Sequence, residues 1–563
     1  MDKQTLLSQI EEKLRFIYGD EYEKSYMEGM KDLVSSWESR NFEQPRPISE
    51  RNVYMITYGD SFYENGRPTL ETLHKFLKNN IGETITDVHL LPMFPYTSDD
   101  GFSVTDYREI NPELGNWEHI EALSEDYRLM FDFVANHISK SSEWFKGYLN
   151  DDPKYRGYFI PKDDSFDTSR VVRPRTSHLY HEYEGKDGTK TAWTTFSEDQ
   201  VDVNVRHFPV LLELTDILLE YAQKGGTSIR LDAIGFLWKR SGTTSIHLPE
   251  THAIIELWHL VLDYFKEGTQ IITETNVPHK ENISYFGDGE NEAHMVYQFS
   301  LPPLMLYTLT THDSTKMTEW AKTIGKVSDE ATYFNFLASH DGIGMRPTEG
   351  ILSEEDKQML VDKVRENGGR VSYKSNPDGS ESVYELNINY SEALVNKGDG
   401  ESDEEAVKKS LAAHSVLTSF MGVPAIYYHS LLGSKNDYAG LEASGINRRI
   451  NREKLEYERI ADELNTDAYR KSIYEGMQEL VRIRRNESAF SPYADQQVLD
   501  LGASVFALKR TNTETGNTVY AVVNVTNEHV SVDLPEAGTD LFTGERTGKA
   551  VTLAPYQYIW VKK

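Results

Sequence analysis

The stretch TSIRLDAIGF, residues 227–236, decides the fold of this chain, because it reads as a buried β-strand that carries two charges. Side chains of a strand alternate between two faces, so Arg230 and Asp232 point to the same side, opposite Ile229 and Leu231. Burying a charge costs free energy unless the charge is paired or used in a reaction. The stretch therefore predicts either a structural salt bridge or a reactive site.

Seven other segments resemble this stretch, and each is followed by polar loop and helix-like sequence. They are VYMITY (53–58), DVHLLPM (87–93), RLMFDFVAN (128–136), QIITETN (270–276), HMVYQF (294–299), TYFNFLASHD (332–341) and VPAIYYH (423–429). Eight β-then-α units in series are typical of a closed barrel of parallel strands joined by helices. The predicted fold class is α/β, a (β/α)8 TIM barrel.

The spacing of these segments is uneven, which predicts insertions after the third and seventh strands, where loops are longer than one unit needs. Helical spacing precedes the first strand, and strand-like segments with polar turns end the chain. The predicted organisation is a helical N-terminal extension over 1–50, a catalytic barrel over 51–138 and 206–465, an inserted subdomain over 139–205, a second insertion over 345–400, and a C-terminal antiparallel β-domain over 488–563.

Composition excludes several classes of protein. Lys and Arg number 59 against 90 Asp and Glu, a net charge of −31 that repels nucleic acid and anionic membranes. With no cysteine there is neither a disulfide framework nor a thiolate site. The N-terminus lacks the features of a signal peptide, and no apolar run approaches the roughly 20 residues of a membrane span. We expect a cytoplasmic protein, either a monomer or a homodimer, whose acidic surface would suit a salt-tolerant source.

Three carboxylates lie late in predicted strands: Asp232 in the fourth, Glu274 in the fifth, and Asp341 at the close of the seventh. Loops at the C-terminal face of a barrel build active sites, so these groups are expected to share one pocket. One carboxylate that attacks an anomeric carbon and another that protonates the leaving oxygen suffice for glycoside chemistry. Arg230 would keep Asp232 ionised, because a nearby cation lowers the pKa of a carboxyl. No convincing metal-ligand spacing occurs, and no cofactor is expected.

Four segments resemble, in order and spacing, the signature regions of the α-amylase superfamily: DFVANH (132–137), IRLDAIGF (229–236), TETN (273–276) and FLASHD (336–341). Others resemble its sucrose phosphorylase branch, among them ITYGDS (56–61), VVRPRT (171–176), WTTFSEDQVDVN (193–204), SHDGIGMRPTEGIL (339–352) and NRRINREK (447–454). The resemblance implies that Asp232 is the nucleophile, Glu274 the general acid/base and Asp341 the transition-state stabiliser. It further implies a glucose subsite formed by Asp60, His137, Phe196, Gln200, Arg230, His340 and Arg448.

A phosphorylase with this net charge needs a local cationic patch for its co-substrate, inorganic phosphate. Candidates are Arg173 and Arg175, which flank a rigid proline, and Arg346. The stretch SHLYHEYEG (177–185) departs from the pattern expected in this branch, and its His178 and Tyr180 are candidates for contacts with the acceptor. A bulky loop there would narrow the acceptor site toward a small polyol such as glycerol.

The sequence thus predicts a retaining α-glucoside phosphorylase that transfers glucose from glucosylglycerol, glucosylglycerate or sucrose to phosphate. Its expected product is α-glucose 1-phosphate, formed through a covalent glucosyl-enzyme. Two alternatives remain open at this point. A glucosidase or transglucosidase would use the same three carboxylates, and a non-catalytic amylase-fold binding protein would usually lack at least one of them.

Overall fold

The computed structural model describes residues 1–563 and contains a closed barrel of eight parallel strands. Each strand pairs with the next along the chain, and the first closes on the eighth. The barrel strands are β1 (Tyr54–Thr57), β2 (Asp87–Leu90), β3 (Arg128–Phe133), β4 (Gly226–Leu231), β5 (Gln270–Thr273), β6 (Met295–Tyr297), β7 (Thr332–Asn335) and β8 (Val423–Tyr427). Seven lie within the predicted segments and β4 begins just before its segment, so the predicted fold class is confirmed.

Helices follow the strands and form the outer layer of the barrel. They are Thr69–Phe76 after β1, Trp117–Asp126 after β2, Phe208–Gln223 after β3, Pro249–Phe265 after β4, His279–Ile283 after β5, Leu301–Thr311 and Thr315–Ala321 after β6, Asp403–Ser419 after β7, and Tyr428–Leu431, Tyr438–Ser444, Tyr457–Thr466 and Ala468–Arg485 after β8. Large apolar side chains on these helices are buried against the strands, which gives the barrel one continuous core.

Strand β4 ends earlier than the apolar pattern predicted. Its ladder stops at Leu231, Ala233 adopts a left-handed conformation (φ 49°, ψ 32°), and Ile234–Phe236 forms a short 3-10 turn. Pairing with β5 aligns Leu231 with Thr273, and the Glu274 N–H donates to the Leu231 carbonyl at 3.1 Å. Because neighbouring strands lie about 4.8 Å apart, the residues that directly follow β4 and β5 stand side by side at the C-terminal edge.

The N-terminal helices, Lys3–Tyr18 and Lys24–Trp37, pack on the outside of the barrel. Leu6, Ile10 and Leu14 form an apolar stripe at four-residue spacing and are fully buried. The Tyr18 hydroxyl donates to the Val205 carbonyl at 2.7 Å. The extension is therefore part of the barrel's core packing.

Two insertions carry their own secondary structure. The segment after β3 contains a helix and an antiparallel hairpin, and the segment after β7 contains a helix, a second hairpin and a short helix. Their bounds are Glu143–Leu149, Tyr180–Gly185 and Gly188–Trp193 for the first, and Glu354–Glu366, Arg370–Ser375, Glu381–Asn387 and Tyr390–Leu394 for the second.

The chain ends in antiparallel sheets. A six-stranded sheet comprises Asp495–Leu499, Val505–Thr511, Thr518–Asn524, Tyr558–Lys562, Gly538–Asp540 and Arg546–Thr547, and a second pairs Val530–Asp533 with Ala550–Leu553. Buried Arg510 joins this region to the barrel by donating to the Ser419 carbonyl at 2.7 Å. No helix in the structure combines the length and the apolar character required to cross a bilayer.

Candidate active site

A pocket opens at the C-terminal edge of the barrel strands and encloses about 690 Å³, part of it open to solvent. Asp232, Glu274 and Asp341 all line it. The lining also contains five of the predicted glucose-binding residues, His137, Phe196, Gln200, His340 and Arg448.

Arg230 lies beneath the pocket and organises Asp232. Its Nη1 donates to Asp232 Oδ1 at 2.9 Å and to Asp132 Oδ1 at 2.6 Å, and its Nε donates to the Tyr297 hydroxyl at 3.0 Å. Asp132 in turn contacts His89, with 2.6 Å between Oδ2 and Nε2. The two charges of the opening stretch thus form a buried pair that fixes Asp232 at the pocket floor.

The environment of Asp232 sets two opposing effects on its ionisation. Burial raises the pKa of Asp232, and the guanidinium of Arg230 opposes that rise. Glu274 does not contact this guanidinium, and its Oε2 accepts a hydrogen bond from the Ala233 N–H at 2.9 Å. Burial raises the pKa of Glu274, an effect that Arg230 opposes and that the charge of Asp341 reinforces. Because the guanidinium of Arg230 contacts Asp232 and not Glu274, the ion pair favours placing the negative charge on Asp232 and a shared proton on Glu274.

Asp341 stands in the most cationic surroundings of the three. Its Oδ1 lies 2.9 Å from Arg448 Nη1 and 3.5 Å from Arg452 Nη2. Although burial alone would raise the pKa of Asp341, Arg448, Arg452 and Arg230 lower it. Asp341 is therefore held as a carboxylate, suited to stabilising positive charge on a sugar ring.

The predicted sugar-binding side chains are held by short contacts. His137 Nε2 lies 3.0 Å from the Phe102 carbonyl, and Gln200 Nε2 donates to the same carbonyl at 3.1 Å. Burial lowers the pKa of His137, which keeps its imidazole neutral. The ring of Phe102 stacks on His340, with 4.9 Å between ring centroids.

Besides Arg230 beneath the pocket, four predicted site residues lie outside the lining. Asp60 pairs with Lys454, with 2.8 Å between Oδ1 and Nζ. Arg173 donates from Nη2 to the Ser177 carbonyl. His178 is exposed, and Tyr180 packs edge-on against Trp193 of the paired hairpin strand, with centroids 5.5 Å apart. Neither His178 nor Tyr180 lies in the lining, and the expectation that their loop narrows the acceptor site stays a prediction.

Several lining residues escaped the sequence prediction, among them Asp99, Phe102, Asn276 and Tyr384, as did buried Glu385 behind them. Glu385 forms a two-point pair with Arg448, at 2.7 Å from Nε and 3.1 Å from Nη2. Asp99 accepts from Gln200 Nε2 at 3.0 Å. The signal that could have found Asp99 is the turn-type sequence DDG (99–101) to which it belongs. Tyr384 and Glu385 stood in an insertion whose sequence indicated only short strands.

The cationic side of the pocket contains Arg175 and Arg346, two of the predicted phosphate or acceptor residues. The guanidinium of Arg175 lies over the rings of Phe196 and Tyr384, 5.2 Å and 5.0 Å from their centroids. Such stacking orients a guanidinium while leaving N–H groups to bind an anion. Positive charge is thus present beside the carboxylates despite the net charge of the chain.

A separate group of possible metal donors, His259, Asp263 and His294, lies at the opposite end of the barrel, where β6 begins. The Ile271 N–H donates to His294 Nδ1 at 3.0 Å, which places the proton of a neutral ring on Nε2. His259 Nε2 lies 3.0 Å from Asp263 Oδ2, and the pKa of His259 is raised: its hydrogen bond and ion pair with Asp263 outweigh the effect of burial. These contacts describe an ion pair beside a neutral histidine.

Comparison with known proteins agrees with this geometry. Residues 76–359 match the alpha amylase catalytic domain, and residues 509–562 match the beta-galactosidase C-terminal domain. A glucosylglycerate phosphorylase of Spirochaeta thermophila is 44% identical over 98% of this chain and 95% of its own length. That of Escherichia coli is 43% identical, covering 95% of each chain.

Solved structures show the same fold. The crystal structure of sucrose 6F-phosphate phosphorylase from Thermoanaerobacter thermosaccharolyticum superposes with a TM-score of 0.74 at 24% identity, covering 89% of this chain and 98% of that chain. At this identity the likeness concerns the fold alone. Taken with the sequence matches over nearly the whole length, it shows that the chain belongs to the α-amylase family of enzymes, in the branch that contains the glucosylglycerate and sucrose phosphorylases.

Proposed function

We propose that the protein is a retaining glucosylglycerate phosphorylase, which converts 2-O-α-glucosylglycerate and inorganic phosphate into α-glucose 1-phosphate and glycerate. The observation that carries the proposal is that Asp232, paired with Arg230, and Glu274 lie at adjacent strand ends in a pocket that also contains cationic Arg175. The relatives that are 42–44% identical are glucosylglycerate phosphorylases, and they favour glycerate over glycerol as the acceptor.

In the first step Asp232 attacks C1 of the glucosyl group. The bond between C1 and the glyceryl oxygen breaks, Glu274 gives its proton to that oxygen, and a β-glucosyl ester forms on Asp232. The contact with Arg230 keeps the attacking oxygen ionised and oriented. Asp341, held as a carboxylate by Arg448, stabilises the positive charge that develops on the ring.

In the second step phosphate takes the place vacated by glycerate. Glu274 removes a proton from phosphate, a phosphate oxygen attacks C1, and the ester bond to Asp232 breaks. Two inversions give net retention. Glu274 donates and accepts every proton in this scheme. The proposed reaction uses inorganic phosphate as co-substrate and needs no cofactor.

The reaction is tested by following phosphate and 2-O-α-glucosylglycerate with the enzyme by ³¹P and ¹H NMR. The proposal expects equimolar glycerate and glucose 1-phosphate with the α configuration. Release of the β anomer would contradict retention, and release of free glucose at a rate independent of phosphate would identify a hydrolase.

A further inference from the structure

Three guanidinium groups line the pocket, and they differ in whether the chain supplies a partner for them. Arg448 is paired with Asp341 and Glu385. Arg175 lies between two aromatic rings and donates from Nη1 to the Pro174 carbonyl at 3.3 Å. Arg346 makes no side-chain hydrogen bond and no ion pair, and its Nε is buried without an acceptor. A buried N–H group without an acceptor costs free energy unless a ligand supplies the acceptor.

The backbone at Arg346 is restricted. Arg346 begins a short 3-10 helix, Arg346–Thr348, whose second residue is a buried proline that restricts the chain. Conformational freedom is therefore limited at the residue that leaves its guanidinium unsatisfied. Such geometry is expected of a preorganised ligand contact.

Arg346 also lies in a different part of the pocket from Arg175. The charge of Arg175 contributes to the low pKa of Asp341, after Arg448, Arg452 and Arg230, whereas Arg346 is not among those contributors. The charge of Arg346 instead lowers the pKa of His247 and Lys374, which lie outside the group of three carboxylates. For His247, burial has the larger effect and, together with His252 and Arg346, lowers its pKa to about 4. The two cations therefore act on different groups around the pocket, Arg175 on Asp341 and Arg346 on groups outside the three carboxylates.

Building on the proposed function, we infer that Arg346 binds the carboxylate of the glyceryl group and makes the enzyme select glucosylglycerate over neutral glucosides. In this donor the carboxylate is attached to the carbon that bears the glycosidic oxygen. It therefore projects beyond the bond that Glu274 cleaves, into the acceptor side. A guanidinium forms two parallel hydrogen bonds with a carboxylate, and glycerol or fructose would leave Arg346 unsatisfied.

The test compares kcat/KM of wild type, R346Q and R346K for glucosylglycerate, 2-O-α-glucosylglycerol and α-glucosyl fluoride at saturating phosphate. For R346Q we expect kcat/KM for glucosylglycerate to fall about 30-fold or more, mainly through KM, since hydrogen bonds to charged groups are worth about 1.5–3 kcal/mol. The two neutral donors should lose much less. R346K should recover part of the loss. Lys374→Gln, which removes a neighbouring cation outside the lining, is the matched control and should leave the donor ratio unchanged.

Two results for R346Q would overturn the inference. An equal loss on all three donors would make Arg346 a structural residue, and a rise confined to the KM of phosphate, measured with α-glucosyl fluoride, would make it a phosphate ligand. Failure of the proposed function looks different, because wild type itself would then release no glucose 1-phosphate from glucosylglycerate, and the inference would be refuted with it.

Discussion

The two halves of the pocket are built in different ways. The catalytic half, Asp232 and Glu274, directly follows β4 and β5, so the barrel's hydrogen-bonded register sets its geometry. The acceptor half, Arg175 and Tyr384, comes from the two insertions, and Arg346 precedes the second hairpin. On the proposed function, the barrel positions the reacting carboxylates, and we expect the inserted segments to select the acceptor. This division explains how one barrel serves several donors across its family.

The largest effect should follow loss of the nucleophile. Asp232→Asn removes the attacking oxygen's charge while keeping its size, so we expect kcat to fall by about 10⁴-fold or more with little change in donor affinity. Steady-state rates and calorimetric binding of glucosylglycerate measure both effects. Asp313→Asn, at an exposed position, is the matched control. Substantial turnover by D232N would mean that another group attacks the sugar.

Removing the acid should give a smaller loss that depends on the leaving group. Glu274→Gln cannot protonate the glyceryl oxygen, so we expect a loss of about 10²–10⁴-fold with glucosylglycerate. Fluoride departs without protonation, and α-glucosyl fluoride should therefore still form the glucosyl-enzyme. Burst kinetics with this donor check the prediction. Equal losses on both donors would refute the acid role.

In the acceptor half, Arg175→Gln should weaken the use of phosphate more than the use of the sugar donor. The stacked guanidinium lies next to the carboxylates, where an incoming phosphate needs countercharge. We expect the KM of phosphate to rise about 10- to 100-fold while kcat/KM for α-glucosyl fluoride changes little. Varying phosphate at fixed donor measures this. A change in kcat/KM for the donor without a change in the KM of phosphate would show that Arg175 does not bind phosphate.

The pH dependence of kcat/KM should show a smaller effect, which reports on Glu274 in the catalytic half. Burial raises the pKa of Glu274, so the protonated form required for the first step persists above the usual titration range of glutamate and is lost as pH rises through the raised value. kcat/KM for glucosylglycerate should then fall about tenfold per pH unit above it. The same limb should be absent with α-glucosyl fluoride. If kcat/KM fell in the same way at high pH with both donors, the titrating group would be one other than Glu274.

The smallest effect should come from His178→Ala. His178 is exposed and outside the lining, so kcat/KM for glucosylglycerate should stay within about twofold of wild type. A large loss of activity, or a new activity on glucosylglycerol, would show that the loop containing His178 takes part in the acceptor site. It would contradict the division of the pocket into two halves.

The same division explains what the sequence predicted. The recurring strand-like segments predicted the eight barrel strands. The positions of Asp232, Glu274 and Asp341 in those segments then predicted one shared pocket, because side-chain direction and register follow from local pattern. The strand at β4 was overextended because the apolar run continues past Leu231, and its left-handed turn at Ala233 has no glycine to mark it.

The acceptor half could not be predicted as well, since its contacts join residues far apart in the chain. Glu385 meets Arg448 across 63 positions, and Arg175 meets Tyr384 between two insertions. Arg173 and Arg175 share one short motif, yet only Arg175 reaches the pocket, because Arg173 is held by the Ser177 carbonyl. Charge alone does not determine which of two nearby arginines faces a ligand.

The most direct test of the central claim is the initial rate of glucose 1-phosphate release from glucosylglycerate, glucosylglycerol, sucrose and sucrose 6′-phosphate, each with and without phosphate. The account predicts strictly phosphate-dependent release, fastest from glucosylglycerate by a wide margin. Faster release from a neutral donor, or free glucose formed equally well without phosphate, would contradict it.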